Sequence, residues 1–239
     1  MSVLFISGID TDIGKTYATG IIAKALVQQG IKVITQKLVQ TGVAINPDSG
    51  EMGIADDIIT HRQLMGIPLQ PCDIDSTTCP YHYEKPASPH LAAKLANEVL
   101  NPDVITSATR SLQADYEVVL LEGAGGLLVP ITEQLLTLDY IAEQGYPVVL
   151  VTSGRLGSIN HTLLSLEAIK SRSLEVHSVI YNHIHDNAAQ TDKQIATSTI
   201  DFLQNYLAEH YPNTHWLSLP VQDDDSCNNA DFVIPQNFI

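Results

Sequence analysis

A lysine and a hydroxyl residue close the most informative short motif of the chain, Gly14-Lys15-Thr16. The motif follows the apolar run Val3 to Ser7 and precedes a stretch with helical spacing, so it lies where a strand turns into a helix. In that setting backbone N–H groups face a phosphate chain, the lysine reaches its β and γ oxygens, and the hydroxyl binds Mg²⁺. The segment Gly8 to Thr16 therefore predicts a loop that binds a nucleoside triphosphate with Mg²⁺.

This segment departs from the strict phosphate-loop pattern. Five residues separate Gly8 from Gly14, whereas the pattern has four, and Ile9 stands where the first glycine is expected. The alternative interpretation is a chance strand, turn and helix that carry Gly-Lys-Thr. The apolar strand before the motif and the helix after it favour a phosphate loop, because phosphate binding requires both neighbours.

Two further charged residues, Lys37 and Glu122, come at the ends of apolar runs. Lys37 follows the run Ile31 to Thr35, and Glu122 follows Glu117 to Leu121. Ligands of open α/β sheets bind beyond the carboxyl ends of the strands, so both side chains are expected near the phosphate loop. A carboxylate without a cation is costly there, which predicts a cation partner for Glu122. Taken alone, Lys37 could equally be a solvated lysine at a strand end.

Short apolar runs alternate with longer helical stretches along the chain. The runs are apolar on both faces, which predicts an α/β fold: a single-domain, doubly wound, mostly parallel sheet over residues 1–239 with helices on both faces. Two stretches, Val43 to Gly53 and Pro68 to Pro89, predict loops, the second a long irregular excursion. The predicted strands are Val3–Ser7, Ile31–Thr35, Glu117–Leu121, Pro147–Thr152, Val176–Tyr181 and Trp216–Leu219, and the predicted helices are Gly14–Gln29, His161–Ser171 and Thr191–His210.

The charge balance argues against several classes of partner. Twelve basic residues stand against 27 acidic ones in 239 residues, a net charge of −15, which disfavours nucleic acids and anionic membranes. The first ten residues lack the features of a signal peptide, and no apolar run approaches the ~20 residues of a membrane span, so a cytoplasmic location is expected. Three cysteines, Cys72, Cys79 and Cys227, predict no disulfide framework, and their spacing with His82 fits no usual zinc site.

Five segments, in chain order, closely resemble dethiobiotin synthetase, and the resemblance runs from residue 3 to about residue 183. The segments are GIDTDIGKT at Gly8–Thr16, QKLVQTG at Gln36–Gly42, ASPH at Ala87–His90, EGAGG at Glu122–Gly126 and LGSINH at Leu156–His161. The resemblance implies an ATP-dependent ligase of biotin biosynthesis. It would close the ureido ring of dethiobiotin from 7,8-diaminononanoate and CO₂, through a carbamate and a carbamic–phosphoric anhydride, and release ADP and phosphate.

The resemblance also implies catalytic and metal-binding roles. No covalent nucleophile is required, so Lys15 and Lys37 would neutralise charge on the transferring phosphoryl group and the carbamate, with Thr11 beside them. Thr16 and Glu122 would bind Mg²⁺ together with an aspartate, either Asp56 or Asp57. Asp57 is the preferred ligand, but the sequence does not separate the two, and either could instead cap the helix that they begin.

The remaining implied residues bind nucleotide and substrate. Asn182 would read the adenine edge through its amide, and Gly123 to Gly126 is expected to be a loop that the ligands approach closely. The full ATP-binding set is Asp12, Ile13, Gly14, Lys15, Thr16, Tyr17, Glu122, Gly123, Gly125, Asn182, Leu219 and Pro220. The full substrate-binding set is Thr11, Lys37, Thr41, Ser88, Gly125 and Gly126 of one subunit, with Gly157, Ser158, Ile159 and Asn160 of the other subunit of a homodimer.

Three alternatives accompany these assignments. Ser158 could simply cap a helix, and Asp12, expected near the amines, could be an ordinary polar loop residue. A related amide ligase that acts on a corrinoid precursor carries a further glutamine-hydrolysing domain, which 239 residues do not accommodate. A membrane- or DNA-positioning ATPase carries a second lysine early in the phosphate loop, where this chain has Asp10.

Overall fold

The computed structural model describes residues 1–45, 52–183, 193–219 and 232–239. Its main sheet has six strands, all parallel, which run in the order 2-5-1-6-7-8 when the strands are numbered along the chain. These strands are β1 (Ser2–Gly8), β2 (Val33–Lys37), β5 (Val118–Gly126), β6 (Val148–Ser153), β7 (Val176–Asn182) and β8 (His215–Leu219).

Helices pack against both faces of this sheet. Alternate residues of β1 point to opposite sides, so that Phe5 joins one apolar cluster and Ile6 the other. The two clusters bury residues of different helices, which confirms the predicted doubly wound parallel sheet. The helices are α1 (Lys15–Gln28), α2 (Asp56–Met65), α3 (Pro71–Ile74), α4 (Pro89–Leu95), α5 (Pro102–Asp115), α6 (Thr137–Gln144), α7 (Ser158–Lys170) and α8 (Lys193–His210).

Strand β5 is longer than the sequence predicts, and the loop prediction for Gly123 to Gly126 is wrong. The strand continues to Gly126, which pairs with Gly8 after an irregularity in the register with β1. A Cβ atom on Gly123 would lie 2.9 Å from the Phe5 ring, so the strand can pass this point only without a side chain. The glycines therefore extend the sheet toward the phosphate loop. Strand β2 is likewise shifted, and Lys37 is its last residue.

The stretch 68–89 is less irregular than predicted. It contains α3 and the short strand β4 (His82–Tyr83), which pairs in parallel with β3 (Gln40–Thr41). Backbone N–H groups of Gln40 and Val43 donate to the carbonyl oxygens of Tyr81 and Tyr83 at 2.9 and 3.0 Å. The segment after β2 thus holds the excursion through backbone hydrogen bonds.

Some of the predictions above fall outside the described residues. They concern residues 46–51, 191, 192, Pro220 and Cys227.

A buried ion pair ties α2 to the neighbouring elements. Arg62 is 2% exposed, and its Nε and Nη2 atoms donate to the two carboxylate oxygens of Asp73 at 2.9 and 2.7 Å. Its Nη1 atom donates to Thr35 Oγ1 at 2.7 Å, and Thr78 Oγ1 donates to Asp73 Oδ1 at 2.8 Å. Burial raises the pKa of Asp73, but the Arg62 hydrogen bonds outweigh it and hold that pKa below its ordinary value. The last turn of α2 is therefore fixed relative to β2. Among the described residues, no helix combines the length and apolarity that crossing a bilayer requires.

We expect Arg62→Met to lower the free energy of unfolding by about 3–5 kcal/mol, because it leaves the buried Asp73 carboxylate without its cation. Urea unfolding followed by circular dichroism measures this change. Glu133→Gln, which breaks the solvent-exposed pair with Lys94, is the matched control and should leave the unfolding midpoint almost unchanged. Equal, small effects of both substitutions would contradict the anchoring role of Arg62.

Candidate active site

The phosphate loop is held from several sides. Lys15, at the start of α1, is 7% exposed, and its ammonium donates to the carbonyl oxygen of Asp10 at 3.1 Å. Burial, with the neighbouring Lys37 charge, lowers the pKa of Lys15. Asn182, at the end of β7, donates from Nδ2 to the carbonyl oxygen of Ile13 at 2.9 Å. The loop is therefore also held by β7, which lies two strands away from β1 in the sheet.

A cluster of opposite charges lies next to the loop, where β2 and β5 end. Lys37 and Glu122 are partners in the register of the two strands, and Lys37 Nζ donates to Glu122 Oε1 at 2.8 Å. The same ammonium forms an ion pair with Asp57 and donates to the carbonyl oxygen of Gly123 at 3.1 Å. Thr16 Oγ1 donates to Glu122 Oε1 at 3.1 Å. The predicted cation partner of Glu122 is thus confirmed, and it is Lys37.

Both members of this pair are charged at neutral pH. Burial alone would lower the pKa of Lys37, but the carboxylates of Glu122 and Asp57 outweigh it and raise that pKa above its ordinary value. Burial would raise the pKa of Glu122, but Lys37 and a hydrogen bond from His61 hold it well below its ordinary value. The site therefore presents a fixed ammonium and a fixed carboxylate.

The structure distinguishes the two adjacent aspartates. Asp57 pairs with Lys37 and lines the cavity described below, whereas the side chain of Asp56 is exposed. Neither residue caps the helix, since the residue before α2 is Ala55 and no side-chain hydrogen bond closes its N-terminus. The capping alternative is therefore wrong for both. The geometry favours Asp57 over Asp56 as a metal ligand.

A cavity of about 620 Å³ opens over this cluster. Its lining combines residues of the phosphate loop with the charged cluster and includes Thr11, Asp12, Gly14, Lys15, Thr16, Tyr17, Lys37, Thr41, Asp57, Glu122 and Gly125. A second cavity, of about 500 Å³, shares Thr11, Asp12, Thr41 and Gly125 with the first and is also lined by Ser88. Gly125 has a φ of +71°, and a Cβ there would lie 2.8 Å from Val129, so this shared wall requires glycine. Five of the ten implied substrate residues, Thr11, Lys37, Thr41, Ser88 and Gly125, thus line these two adjoining cavities.

The implied residues of α7 lie apart from these two cavities. Asn160 is exposed in the first turn of α7, and the preceding Leu156 is 97% exposed. Gly157 precedes the helix as its cap, whereas Ser158 is buried and contacts Ser153 Oγ at 3.2 Å. The expectation that Ser158 caps this helix is therefore wrong. Gly126 lines a third cavity, of about 510 Å³, together with His161 of α7.

The implied base-binding residues are not brought to these cavities either. Asn182 and Leu219 are fully buried at the ends of β7 and β8, and the amide of Asn182 is engaged with Ile13. Ile13 itself is fully buried, so it can offer a ligand only its backbone. The role of Asn182 in adenine recognition stays a prediction.

The donor set next to Lys37 fits a hard divalent cation. The carboxylates of Asp57 and Glu122 both pair with the Lys37 ammonium, which shows that the site accepts positive charge, and the Thr16 hydroxyl lies beside them on Glu122. Such oxygen ligands suit Mg²⁺, which keeps waters and phosphate oxygens in its remaining positions. Within the described ranges, no three His, Cys, Asp or Glu side chains could hold a metal ion by themselves. The further oxygen ligands of a metal here would come from the Thr16 hydroxyl, water and phosphate.

Comparisons with solved structures identify the fold. A chain of the MinC:MinD cell division protein complex of Aquifex aeolicus aligns with a TM-score of 0.53 at 15% identity. The alignment covers 97% of this chain and 85% of that chain. The pNOB8 ParA protein bound to nonspecific DNA aligns with a TM-score of 0.52 at 15% identity, covering 97% of this chain and 84% of that chain. A family model described as an AAA domain matches residues 2–210. At such low identity the two structures bear on the fold alone.

The sheet order and the phosphate loop define a P-loop nucleotide-binding α/β protein. The ATP-dependent dethiobiotin synthetase BioD 2 of Haemophilus ducreyi is 50% identical over 220 residues, which are 92% of this chain and 99% of that protein. The protein of the same name from Pasteurella multocida is 52% identical over 212 residues, which are 89% of this chain and 94% of that protein. The chain belongs to the dethiobiotin synthetase family. The family resemblance of the sequence is thereby confirmed.

Two contacts of the site were not predicted from the sequence. His61 Nε2 lies 2.8 Å from Glu122 Oε2, and Arg155 forms an ion pair with Asp10 of the phosphate loop. His61 follows Asp57 by four residues, a spacing that places both on one face of a helix and could have indicated the contact. Arg155 carries no comparable signal, because its partner is distant in the sequence.

We expect Asp57→Asn to weaken Mg²⁺-dependent ATP binding by about tenfold or more, because it removes one charged oxygen ligand. Asp56→Asn is the matched control and should change the affinity by less than about twofold, since that side chain is exposed. Calorimetric titration with ATP, with and without Mg²⁺, measures both. A larger loss with Asp56→Asn would assign the metal to the other aspartate.

Proposed function

We propose that this chain catalyses the ATP-dependent closure of the ureido ring of dethiobiotin from 7,8-diaminononanoate and CO₂, with Lys37 and Lys15 as its catalytic cations. The observation that carries the proposal is the shared wall of two cavities. Thr11, Thr41 and Gly125 line both the cavity that contains the phosphate loop and the cavity next to Ser88. A diamine in one cavity and a triphosphate in the other would therefore meet at this wall, and Lys37 lines the cavity on the phosphate side. The relatives named dethiobiotin synthetase support the same reaction.

The reaction proceeds in three bond-forming steps. One amine of the substrate attacks the carbon of CO₂ and loses a proton, which gives a carbamate. A carbamate oxygen attacks the γ-phosphorus of ATP, and the bond to the β-phosphate oxygen breaks, which gives the carbamic–phosphoric anhydride and ADP. The second amine then attacks the carbamoyl carbon and loses a proton, the bond from that carbon to the phosphate oxygen breaks, and phosphate leaves as the ring closes.

The protein contributes position and charge rather than a nucleophile. Backbone N–H groups after Gly8 and the N-terminus of α1 hold the phosphates, and Lys15 neutralises the charge on the transferring group. Lys37 faces the carbamate oxygens, held in place by Glu122 and Asp57. Because this cation is fixed before the reaction, little reorganisation is needed when charge develops. Asp12 lines both cavities, where its carboxylate can attract the amines of the substrate.

Mg²⁺ is the implied metal, bound by Thr16, Asp57 and Glu122 together with phosphate oxygens. When bound, it neutralises charge on the β and γ phosphates of ATP. Glu122 is suited to this role because its carboxylate stays ionised and is held by several hydrogen bonds. Thr16 is positioned by its own hydrogen bond to Glu122.

The active unit that we propose is a homodimer. Gly157 to Asn160 lie outside the two cavities of their own chain, with Asn160 exposed. In a second copy, the first turn of α7 can bind the remote carboxylate of the substrate through backbone N–H groups and the Asn160 amide. The exposed side chains of Leu128, Leu156 and Leu164 around this turn supply apolar surface for such an interface.

We expect Lys37→Ala to lower kcat by about 10²–10³-fold or more, because it removes a preorganised cation from developing negative charge. Lys15→Ala should act in the same direction for the same reason. Phosphate release in the presence of the diamine, bicarbonate and Mg²⁺·ATP measures turnover, and circular dichroism checks the fold. Lys94→Ala, at an exposed lysine of α4, is the control. Near-normal turnover of folded Lys37→Ala would refute its catalytic role.

We expect Asn160→Ala to raise KM for the diamine by about 10–100-fold, because it removes one hydrogen bond to the charged carboxylate of the substrate. The affinity for ATP should be nearly unchanged. A heterodimer of Lys37→Ala and Asn160→Ala subunits should recover activity at low diamine concentration, because one of its two sites receives both intact halves. Differently tagged subunits allow the mixed dimer to be purified and assayed. A purified heterodimer no more active than the Asn160→Ala dimer would show that each site belongs to one chain.

A further inference from the structure

His61 is a buried side chain that the ring-closing mechanism does not use. It lies on α2 and is 0% exposed, as is Glu122 on β5. Its Nε2 atom is 2.8 Å from Glu122 Oε2, and its Nδ1 atom has no hydrogen-bond partner among the described residues. Within the described part of the chain, the hydrogen bond of this side chain is therefore made to the carboxylate of the site.

The hydrogen bond assigns a different partner to each oxygen of Glu122. Oε1 accepts from Lys37 Nζ and Thr16 Oγ1, whereas Oε2 accepts from His61 Nε2, which must carry the proton because the carboxylate can only accept. The last torsion of a glutamate side chain is soft and has broad minima. A donor on Oε2 opposes rotation about that bond, so the direction of Oε1 depends on His61.

Helix α2 supplies both this donor and an acidic residue of the site. His61 follows Asp57 by four residues, so the two side chains lie one turn apart on the same face. The adjacent Arg62 fixes this helix to Asp73 and Thr35. The position of α2 relative to β2 and β5 therefore sets the Asp57 carboxylate and the support of Glu122 together.

We propose that His61 is a positioning residue that orients the Glu122 carboxylate for Mg²⁺-dependent binding of ATP, an inference that rests on the metal site proposed above. Residues that hydrogen-bond to metal ligands commonly set metal affinity. A histidine that only filled space in the core would affect folding and leave the metal dependence of nucleotide binding unchanged. The two roles are thus separable by experiment.

Three variants of the full-length protein test the proposal. His61→Leu removes the donor, His61→Gln keeps an N–H donor on a side chain of similar length, and Thr106→Val removes a buried hydroxyl, 3.2 Å from the Tyr140 hydroxyl, away from the site. Binding of the β,γ-imido analogue of ATP is measured by calorimetry, with Mg²⁺ and with EDTA, in the absence of the diamine. Melting temperatures are recorded in parallel.

We expect His61→Leu to weaken binding in Mg²⁺ by about 10–100-fold, with a change of less than about twofold in EDTA. His61→Gln should restore most of the lost affinity, because its amide can donate to the same oxygen. Thr106→Val should lower the melting temperature and leave both affinities unchanged. This pattern separates loss of orientation from loss of stability.

The proposal fails if folded His61→Leu binds the analogue with wild-type affinity in Mg²⁺, or if its affinity falls equally in Mg²⁺ and EDTA. If His61→Leu does not fold, His61→Met takes its place, because methionine adapts to irregular core space and also lacks the donor. If neither apolar variant folds while His61→Gln does, the histidine serves folding and the proposal falls. If the wild-type protein binds the analogue equally well in Mg²⁺ and EDTA, the proposed metal site itself is refuted.

Discussion

A lysine ammonium and a glutamate carboxylate meet 2.8 Å apart, both almost fully buried, where β2 and β5 lie side by side. Removing two such charges from water costs several kcal/mol per ion, and this cost is offset only when the partners are close and their remaining hydrogen-bonding groups are satisfied. The register of the two strands sets the closeness, since Lys37 and Glu122 are direct partners. Asp57, Gly123, Thr16 and His61 then satisfy what remains. Side chains of α1, α2, β2 and β5 therefore meet at this one pair.

The same pair explains how so acidic a chain can bind an anionic nucleotide. With a net charge of −15, the overall field of the protein repels a triphosphate. Binding must then depend on a few donors at fixed positions, and in the function proposed above these are the backbone of the phosphate loop and the ammonium groups of Lys15 and Lys37. Both lysines are largely shielded from solvent, where each charge acts more strongly than it would on the surface.

The fold was predictable from the sequence to the extent that local patterns determine it. Apolar runs identified the strands of the main sheet, and Gly14-Lys15-Thr16 located the phosphate loop, because both signals lie within a few neighbouring residues. The continuation of β5 through four residues that include three glycines was missed, since it depends on the Phe5 ring of another strand. The pairing of β3 with β4 was missed for the same reason, as its partners are distant in the sequence. His61 and Arg155 likewise acquire their roles only through tertiary contacts with Glu122 and Asp10.

Strand β1 lies in the interior of the main sheet, between β5 and β6, and continues directly into the phosphate loop. Asn182, at the end of β7, holds the same loop through Ile13. The loop therefore cannot lose its shape without disturbing the strands that form the core of the protein. The binding of any ligand that recognises only the folded loop is thermodynamically linked to folding. A nucleotide at 100 times its Kd would raise the free energy of unfolding of the protein by about 2.7 kcal/mol. The co-substrate is in this sense also a folding ligand, and its concentration becomes one of the terms that set the free energy of unfolding.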